Sequence, residues 1–135
     1  MTQPDITETI VILCRYVEKQ RQKDWNAVKR VLRYLKETQN INLRIIATDL
    51  KLTGYVDADW AGDLSDCKST SGYLFKLGES SISWPSRKQV SVTLSITEEK
   101  YVSAAHSSQE VIWLNQLLGN LGKSSTKPTV IYEDN

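Results

Sequence analysis

Apolar side chains recur at helical spacing over the first third of the chain. Between residues 5 and 18 they stand three or four positions apart, which predicts an amphipathic helix. A second helix is predicted from about Asp24 to Glu37, with Asp24 as its N-cap and Gln39 and Asn40 at its end. The apolar positions of the two helices are Ile6, Ile10, Leu13, Cys14 and Val17 in the first and Trp25, Val28, Val31, Leu32 and Leu35 in the second.

Short runs typical of strands dominate the rest of the chain, and one long helix separates the last run from the others. This helix is predicted from about Ile96 to Leu118, because Ser95 and Glu98 have the spacing of a capping box and Gly119 follows the apolar pattern. Its expected core side consists of Tyr101, Ala104, Ala105, Val111, Ile112, Leu114 and Leu118. The predicted strands cover 41–47, 52–57, 71–77, 81–84, 89–94 and 129–132.

The composition is that of a folded domain. The chain has 135 residues, of which 40% are apolar and 24% charged, so a core can form and global disorder is not expected. A net charge of +1 gives no overall attraction to nucleic acid or to a membrane surface. No apolar run approaches the roughly 20 residues that span a bilayer, and a signal-peptide pattern is absent. We therefore expect an intracellular protein with no membrane partner.

Charge is less even along the chain than in total. Residues 15–36 hold eight basic side chains against Glu18 and Asp24, a pattern that suits either a phosphate backbone or a solvated helix face. The two cysteines, Cys14 and Cys67, lack cysteine or histidine neighbours at zinc-ligand spacing, so we do not expect a zinc site.

Two aspartates stand at the ends of β-type runs. Asp57 follows the run 52–56, and Asp134 follows the run 129–132 near the end of the chain. If these two strands are neighbours, their aspartates meet at one end of the sheet. Paired carboxylates in that position suit a magnesium-dependent phosphodiester hydrolase.

Several motifs in one order strengthen this interpretation. They resemble the ribonuclease H region of copia-type LTR-retrotransposon Pol polyproteins, and residues 4–6 and 25–38 resemble the end of the reverse transcriptase in the same polyproteins. The motifs of the ribonuclease H region are DADWAGD at 57–63, KSTSGY at 68–73, ISW at 82–84, KQ at 88–89, LS at 94–95, TE at 97–98, Tyr101, WL at 113–114 and DN at 134–135.

The resemblance implies a fold and two domains. The implied fold class is α/β, a ribonuclease-H-like β-β-β-α-β mixed sheet that is truncated at its C-terminus and preceded by a two-helix segment. Residues 1–48 would be the C-terminal helical tail of reverse transcriptase, similar to its thumb or connection, and residues 49–135 an incomplete ribonuclease-H-like domain.

The resemblance also implies an activity and its partners. The family cleaves the RNA strand of RNA–DNA hybrids by hydrolysis with two Mg²⁺ ions, so the expected partners are the hybrid and the remainder of the reverse transcriptase polyprotein. The expected location is the cytoplasm, a virus-like particle or the nucleus.

The family's metal ligands carry over only in part. Asp57 and Asp134 match two catalytic, metal-binding aspartates, a further family aspartate would lie downstream of Asn135, and Lys100 stands where the family has a helix glutamate. Glu98 and Glu99 would point elsewhere on the helix if Tyr101 is in the core.

If Lys100 lies beside Asp57, its positive charge repels a metal ion at the position where the family's glutamate would attract one. At an effective dielectric constant near 20, two unit charges about 4 Å apart interact by about 4 kcal/mol. We therefore expect impaired hydrolysis, and whether this chain is an enzyme stays open. The alternative is a non-catalytic nucleic-acid-binding remnant.

Two polar segments are candidates for contact with nucleic acid. The first contains Lys68, Ser69, Thr70 and Ser71, and it fits a phosphate-binding segment and a polar turn equally well. The second contains Arg87 and Lys88, and it is expected to lie in a loop. The one histidine, His106, is expected at the surface rather than in a catalytic role.

Overall fold

The chain forms two compact units, Met1–Arg44 and Ile45–Asn135. The computed structural model describes residues 3–46, 50–63, 68–90, 92–123 and 127–133, with the backbone only over 59–63. No helix among these residues combines the length and apolar character needed to cross a membrane.

The first unit contains two helices. Helix α1 spans Pro4–Cys14, with a proline in its first turn, and helix α2 spans Gln22–Glu37. Tyr34 on α2 donates a hydrogen bond to Asp5 Oδ2 on α1 at 2.7 Å. On the inner side of α2, Val31 is buried.

Helix α2 begins earlier than its sequence predicted. Arg21 is the N-cap, and its backbone N–H donates to Asp24 Oδ2 at 3.0 Å. The prediction of Asp24 as N-cap is therefore wrong, because its carboxylate stabilises the helix start from the third helical position.

The second unit is a mixed sheet covered by one long helix. The strands are β1 Leu52–Asp63, β2 Lys68–Leu77, β3 Ser80–Ser83, β4 Ser86–Lys88 and β5 Val130–Glu133, and helix α3 spans Ile96–Asn120. The strand order is β3-β2-β1-β5, and β4 pairs with β2 as well. Strand β1 runs antiparallel to β2 and parallel to β5. The predicted succession of three strands, a helix and a final strand is present, with β4 added.

Two predicted strands are absent from the described residues. Residues 41–46 form no strand, because Ile46 bonds to a side chain instead of a partner strand. Its N–H donates to Ser80 Oγ at 2.6 Å, and Ser80 Oγ donates to its carbonyl at 3.1 Å. The strand predicted over 89–94 is replaced by β4, which ends at Lys88.

The apolar core lies between the sheet and α3. Leu52 of β1, Phe75 of β2 and Leu114 of α3 form its centre. Gly54 lies opposite Phe75 in the antiparallel register, and its missing side chain leaves room for the ring. Partly buried side chains around this centre are Tyr73, Leu77, Ile82, Val111 and Leu118.

The N-terminal half of α3 packs through polar side chains. Glu99, Ser103 and Ser107 are each 0% exposed, whereas Tyr101 is 74% exposed. The prediction of Tyr101 on the core side is therefore wrong. Hydrogen bonds with polar groups of the sheet decide the rotation of this half, as when Ser103 donates to Ser71 Oγ at 2.5 Å.

Candidate functional site

Helix α3 covers one face of the sheet, and Asp57 lies on the other. The register pairs Gly54 with Phe75 and Val56 with Tyr73, and these residues face α3. Because side chains alternate along a strand, Asp57 projects from the opposite face. Asp57 is exposed, and its Oδ1 accepts a hydrogen bond from the Ala58 N–H at 2.8 Å.

The face opposite α3 carries several polar and aromatic groups, and we call Tyr55, Asp57, Thr70, Lys88 and Tyr132 the open face. Asp57 pairs with Gly72, and a Cβ built at Gly72 meets no atom within 4 Å, so there is space beside the carboxylate. Thr70 pairs with Lys88. The rings of Tyr55 and Tyr132 stack with centroids 5.4 Å apart.

The serines of the predicted nucleic-acid-binding segment lie inside the protein. Ser69 is 0% exposed and Ser71 is 4% exposed. The Ser69 hydroxyl is 3.1 Å from that of Thr93, and Ser71 Oγ accepts from Gln89 Nε2 at 2.7 Å. These hydroxyls connect β2 to the residues that follow β4 and do not reach the surface.

The basic residues of the two predicted segments lie on adjacent strands but not on one face. Lys68 begins β2, and Lys88 ends β4 on the open face, where it is paired with Thr70. Arg87 pairs with Ser71, so it lies on the α3 side. Pairing of β2 with β4 therefore brings the segments together, while strand alternation separates Arg87 from Lys88.

The start of α3 offers no carboxylate to the open face. Ser95 caps the helix by accepting from the Glu98 N–H at 3.1 Å, and Glu98 Oε2 accepts from the Leu94 N–H at 2.7 Å. Glu99 is fully buried on the α3 side. Lys100 is partly exposed in the first turns of the same helix.

The described residues do not form a complete metal site. No group of three or more His, Cys, Asp or Glu side chains among them could hold an ion. Glu133 pairs with Val56 in the parallel register. Asp134, the second predicted ligand, lies outside the described residues, so its role as a ligand stays a prediction.

A cleft opens on the α3 side, beyond the apolar core. Its volume is about 300 Å³, and its lining includes Arg87 and Gln89 from the sheet side and His106 and Glu110 from α3. Ser83 donates a hydrogen bond to Glu110 Oε1 at 2.7 Å. Sequence reasoning placed His106 at the surface and missed Glu110. Their separation of four positions on one helix face was the available signal.

Tyr73 belongs to the same polar cluster. Burial raises the pKa of the Tyr73 phenol above its usual value, and the nearby Glu110 carboxylate, which accepts its hydrogen bond, raises it further. The Arg87 guanidinium acts in the opposite direction. The Tyr73 phenol is therefore neutral at neutral pH and is influenced by both the Glu110 carboxylate and the Arg87 guanidinium.

Over the described residues, the protein is of the α/β class, with a mixed open sheet and three helices. No protein-family model matches the chain, and no solved structure gives a significant match. The similarity to known proteins is found by comparing sequences.

Three relatives illustrate this similarity. The secreted RxLR effector protein 161 of Plasmopara viticola is 45% identical over 115 residues, which are 84% of this chain and 81% of that protein. The retrovirus-related Pol polyprotein from transposon RE2 of Arabidopsis thaliana is 44% identical over 135 residues, 99% of this chain and 9% of the polyprotein. The corresponding polyprotein from transposon TNT 1-94 of Nicotiana tabacum is 41% identical over 133 residues, 98% of this chain and 10% of the polyprotein.

This chain therefore belongs to the same family as the Plasmopara viticola protein, and nearly its whole length is similar to a stretch of retrovirus-related Pol polyproteins from transposons. It spans about a tenth of the length of the Pol polyproteins it matches.

Proposed function

We propose that the second unit is the ribonuclease H region of a copia-type Pol polyprotein and that the first unit is the end of its reverse transcriptase. The ancestral reaction is hydrolysis of the RNA strand of an RNA–DNA hybrid with two Mg²⁺ ions. In this copy the reaction is impaired at the metal site, and Asp57 and Asp134 remain of the ancestral ligands.

The observation that carries this proposal is the position of Asp57 on β1. This strand lies between antiparallel β2 and parallel β5, and α3 makes the connection to β5. The sequence motifs imply the same order of strands and helix and the same position for the aspartate. The transposon Pol relatives add support, since they match nearly the whole chain.

The start of α3 supports impairment. Mg²⁺ requires several oxygen ligands in near-octahedral geometry, and Lys100 replaces one carboxylate by a cation. Its neighbours do not compensate for this loss, because the Glu98 carboxylate accepts a backbone hydrogen bond and Glu99 is buried on the face away from Asp57. The described residues do not fit the two ions, so no catalytic step is assigned to this chain.

Cleavage of a labelled RNA–DNA hybrid with Mg²⁺ tests the proposal. The chain and its Lys100→Glu variant are compared, each as it stands and extended by the segment that follows the matched region in the tobacco transposon polyprotein. We expect cleavage only by extended Lys100→Glu. Asp57→Asn in that active background is the matched control and should abolish cleavage.

The outcomes separate the two parts of the proposal. If the unmodified chain cleaves the hybrid with Mg²⁺ and Asp57→Asn abolishes this cleavage, the reaction is not impaired in this copy. The assignment of the ancestral reaction to this unit would then stand. No cleavage by extended Lys100→Glu, with folding intact by circular dichroism, would refute the assignment of the ancestral reaction to this unit.

A second candidate function is binding of nucleic acid without cleavage. Two observations favour it: Lys88 lies on the open face beside Thr70, and α2 carries a lysine over an aromatic ring, with Lys29 Nζ 5.6 Å from the Trp25 ring centroid. Binding of a hybrid should then weaken steeply with salt. Lys88→Ala should reduce the slope of log K against log salt by about 1, and an unchanged slope would count against this surface.

A further inference from the structure

The cleft on the α3 side contains a buried amide oxygen without a hydrogen-bond partner among the described residues and an exposed guanidinium, and the ancestral reaction uses neither. We propose that this cleft is a binding site for a single nucleotide, with Arg87 holding the phosphate and Gln89 contacting the base. It lies on the sheet face opposite Asp57, so it is distinct from the hydrolytic site and does not rest on that function.

The first argument is an unsatisfied amide. Gln89 is 3% exposed, and its Nε2 donates to Ser71 Oγ at 2.7 Å and to the Glu99 carbonyl at 3.4 Å. Its Oε1 is buried and has no hydrogen-bond partner in the part of the chain that the structure describes. A buried polar atom of this kind costs about 1–3 kcal/mol unless something pairs with it, and Gln89 lines the cleft.

The orientation of the amide does not change this argument. Exchanging the two ends would let Oε1 accept from the Ser71 hydroxyl and would leave the amide N–H unpaired instead. A ligand edge that carries both donors and acceptors satisfies either arrangement. Nucleobases have such edges, whereas inorganic anions and sugars do not combine them with a flat aromatic ring.

The second argument is charge. Arg87 lines the cleft on the α3 side, together with one carboxylate, that of Glu110. Glu110 already accepts hydrogen bonds from the hydroxyls of Ser83 and Tyr73. The exposed Arg87 guanidinium is a cationic group of the cleft, and its planar fork suits a phosphate.

The third argument is shape. A volume of about 300 Å³ is at the lower end of the roughly 300–1,000 Å³ typical of ligand sites, the size of one base with its sugar and phosphate rather than of a helix. Tyr73 and His106 provide flat rings in the lining. Flat rings stack on bases with little dependence on base identity.

Calorimetric titration of the full chain in EDTA tests this proposal without any contribution from metal-dependent cleavage. The probes are the four nucleoside 5′-monophosphates, ribose 5-phosphate and inorganic phosphate. We expect the nucleotides to bind best and Arg87→Ala to weaken them by about tenfold or more, since hydrogen bonds to charged groups contribute about 1.5–3 kcal/mol. Lys76→Ala removes a cation from β2 on the face opposite α3 and should change binding less than twofold.

Gln89→Leu separates the base contact from the phosphate contact. It should reduce nucleotide binding to the level of ribose 5-phosphate, with folding confirmed by thermal unfolding. Amide shifts in NMR spectra should map to β4 and to α3 around His106, which checks the location if Gln89→Leu does not fold.

Three results would overturn the site. They are equal binding of inorganic phosphate and nucleotides, equal loss in Arg87→Ala and Lys76→Ala, and no binding of any nucleotide at millimolar concentration. Competition by a short single-stranded oligonucleotide identifies the source of the nucleotide. Displacement by the oligonucleotide supports a strand end, and its failure to displace supports a free nucleotide.

Discussion

At the scale of the residue, Gly54 shows how closely the Phe75 ring of β2 approaches the backbone of β1 in the core. A Cβ at this position would lie 2.5 Å from Phe75 Cε1 and 3.3 Å from Ile131 Cγ1. Phe75 is fully buried and packs beside Tyr73, with ring centroids 5.3 Å apart, so the ring has little freedom to move. The glycine is therefore required by packing and not by a turn.

Gly54→Ala should lower the free energy of unfolding by about 1–3 kcal/mol, the usual effect of overpacking a core. Chemical denaturation followed by circular dichroism measures this change. Gly72→Ala is the matched control on the neighbouring strand, where a Cβ meets no atom within 4 Å, and it should change stability by less than about 0.5 kcal/mol. Equal losses in the two variants would contradict the packing argument.

Tyr73 should make stability depend on pH in the alkaline range. Its pKa in the folded protein is raised above the usual value, so folding favours the protonated phenol. The resulting stability is fully present below the ordinary tyrosine pKa of about 10 and is lost as pH rises through the raised pKa. Tyr73→Phe should therefore show a smaller loss of stability between neutral pH and the alkaline range in urea unfolding.

A second tyrosine provides the comparison for that measurement. The hydrogen bond to Asp5 raises the pKa of Tyr34 as well, but Tyr34 is exposed in the first unit. Tyr34→Phe should leave the alkaline dependence of the second unit unchanged. An identical response in both variants would show that Tyr73 is not the group responsible.

At the scale of the element, α3 illustrates which features of a helix are local. Its start depends on Ser95 and Glu98, within four positions of contiguous sequence. The predicted N-cap at Ser95 is present, but the capping box is incomplete, because the Glu98 carboxylate accepts from the Leu94 N–H instead of the Ser95 N–H. Its rotation about its own axis depends on the sheet. Polar groups of β2 and of Gln89 bury Glu99 and Ser103, which an apolar pattern does not indicate.

Ser95→Ala should destabilise the second unit by about 1 kcal/mol, because it leaves the Glu98 N–H without its cap. Thermal unfolding measures the effect. Ser108→Ala in the middle of the same helix is the control, since its exposed hydroxyl bonds to the Ala104 carbonyl one turn earlier and alanine has the higher helix propensity. Ser108→Ala should therefore be neutral or slightly stabilising, and a larger loss there than at Ser95 would contradict the capping role.

At the scale of the whole molecule, the division into two units places the boundary near residue 45. Ile46 exchanges two hydrogen bonds with Ser80, and the Lys51 carbonyl accepts from the Gly78 N–H at 2.9 Å. These contacts tie the segment before β1 to the turn before β3. The second unit therefore includes residues that precede its first strand.

A fragment that begins at Ile45 should unfold cooperatively, since the core of β1, β2 and α3 lies within it. A fragment that begins at Leu52 loses three hydrogen bonds and should be less stable by about 1–3 kcal/mol. Urea unfolding of both fragments, with the full chain as reference, checks this. Equal stability would mean that the boundary lies at the start of β1.

Much of the fold was predictable from the sequence by itself. Apolar periodicity predicted both N-terminal helices, the strands β1, β2, β3 and β5, and α3, because each depends on residues close together in the chain. The sequence also placed Asp57 on a strand, and its motifs indicated the similarity to transposon Pol polyproteins. Predictions failed where they needed a partner distant in sequence, as for the strands predicted at 41–47 and 89–94, which are absent from the described residues of those ranges.

Only the tertiary structure decided which side chains share a face. Alternation along β1 shows that Asp57 and Val56 point in opposite directions, but the packing of α3 determines which of them is covered. The same packing buried Ser69 and Ser71, separated Arg87 from Lys88, and turned Tyr101 to solvent. The physical reason is that a local pattern sets the period of an element, whereas its orientation minimises the free energy of contacts between elements far apart in the chain.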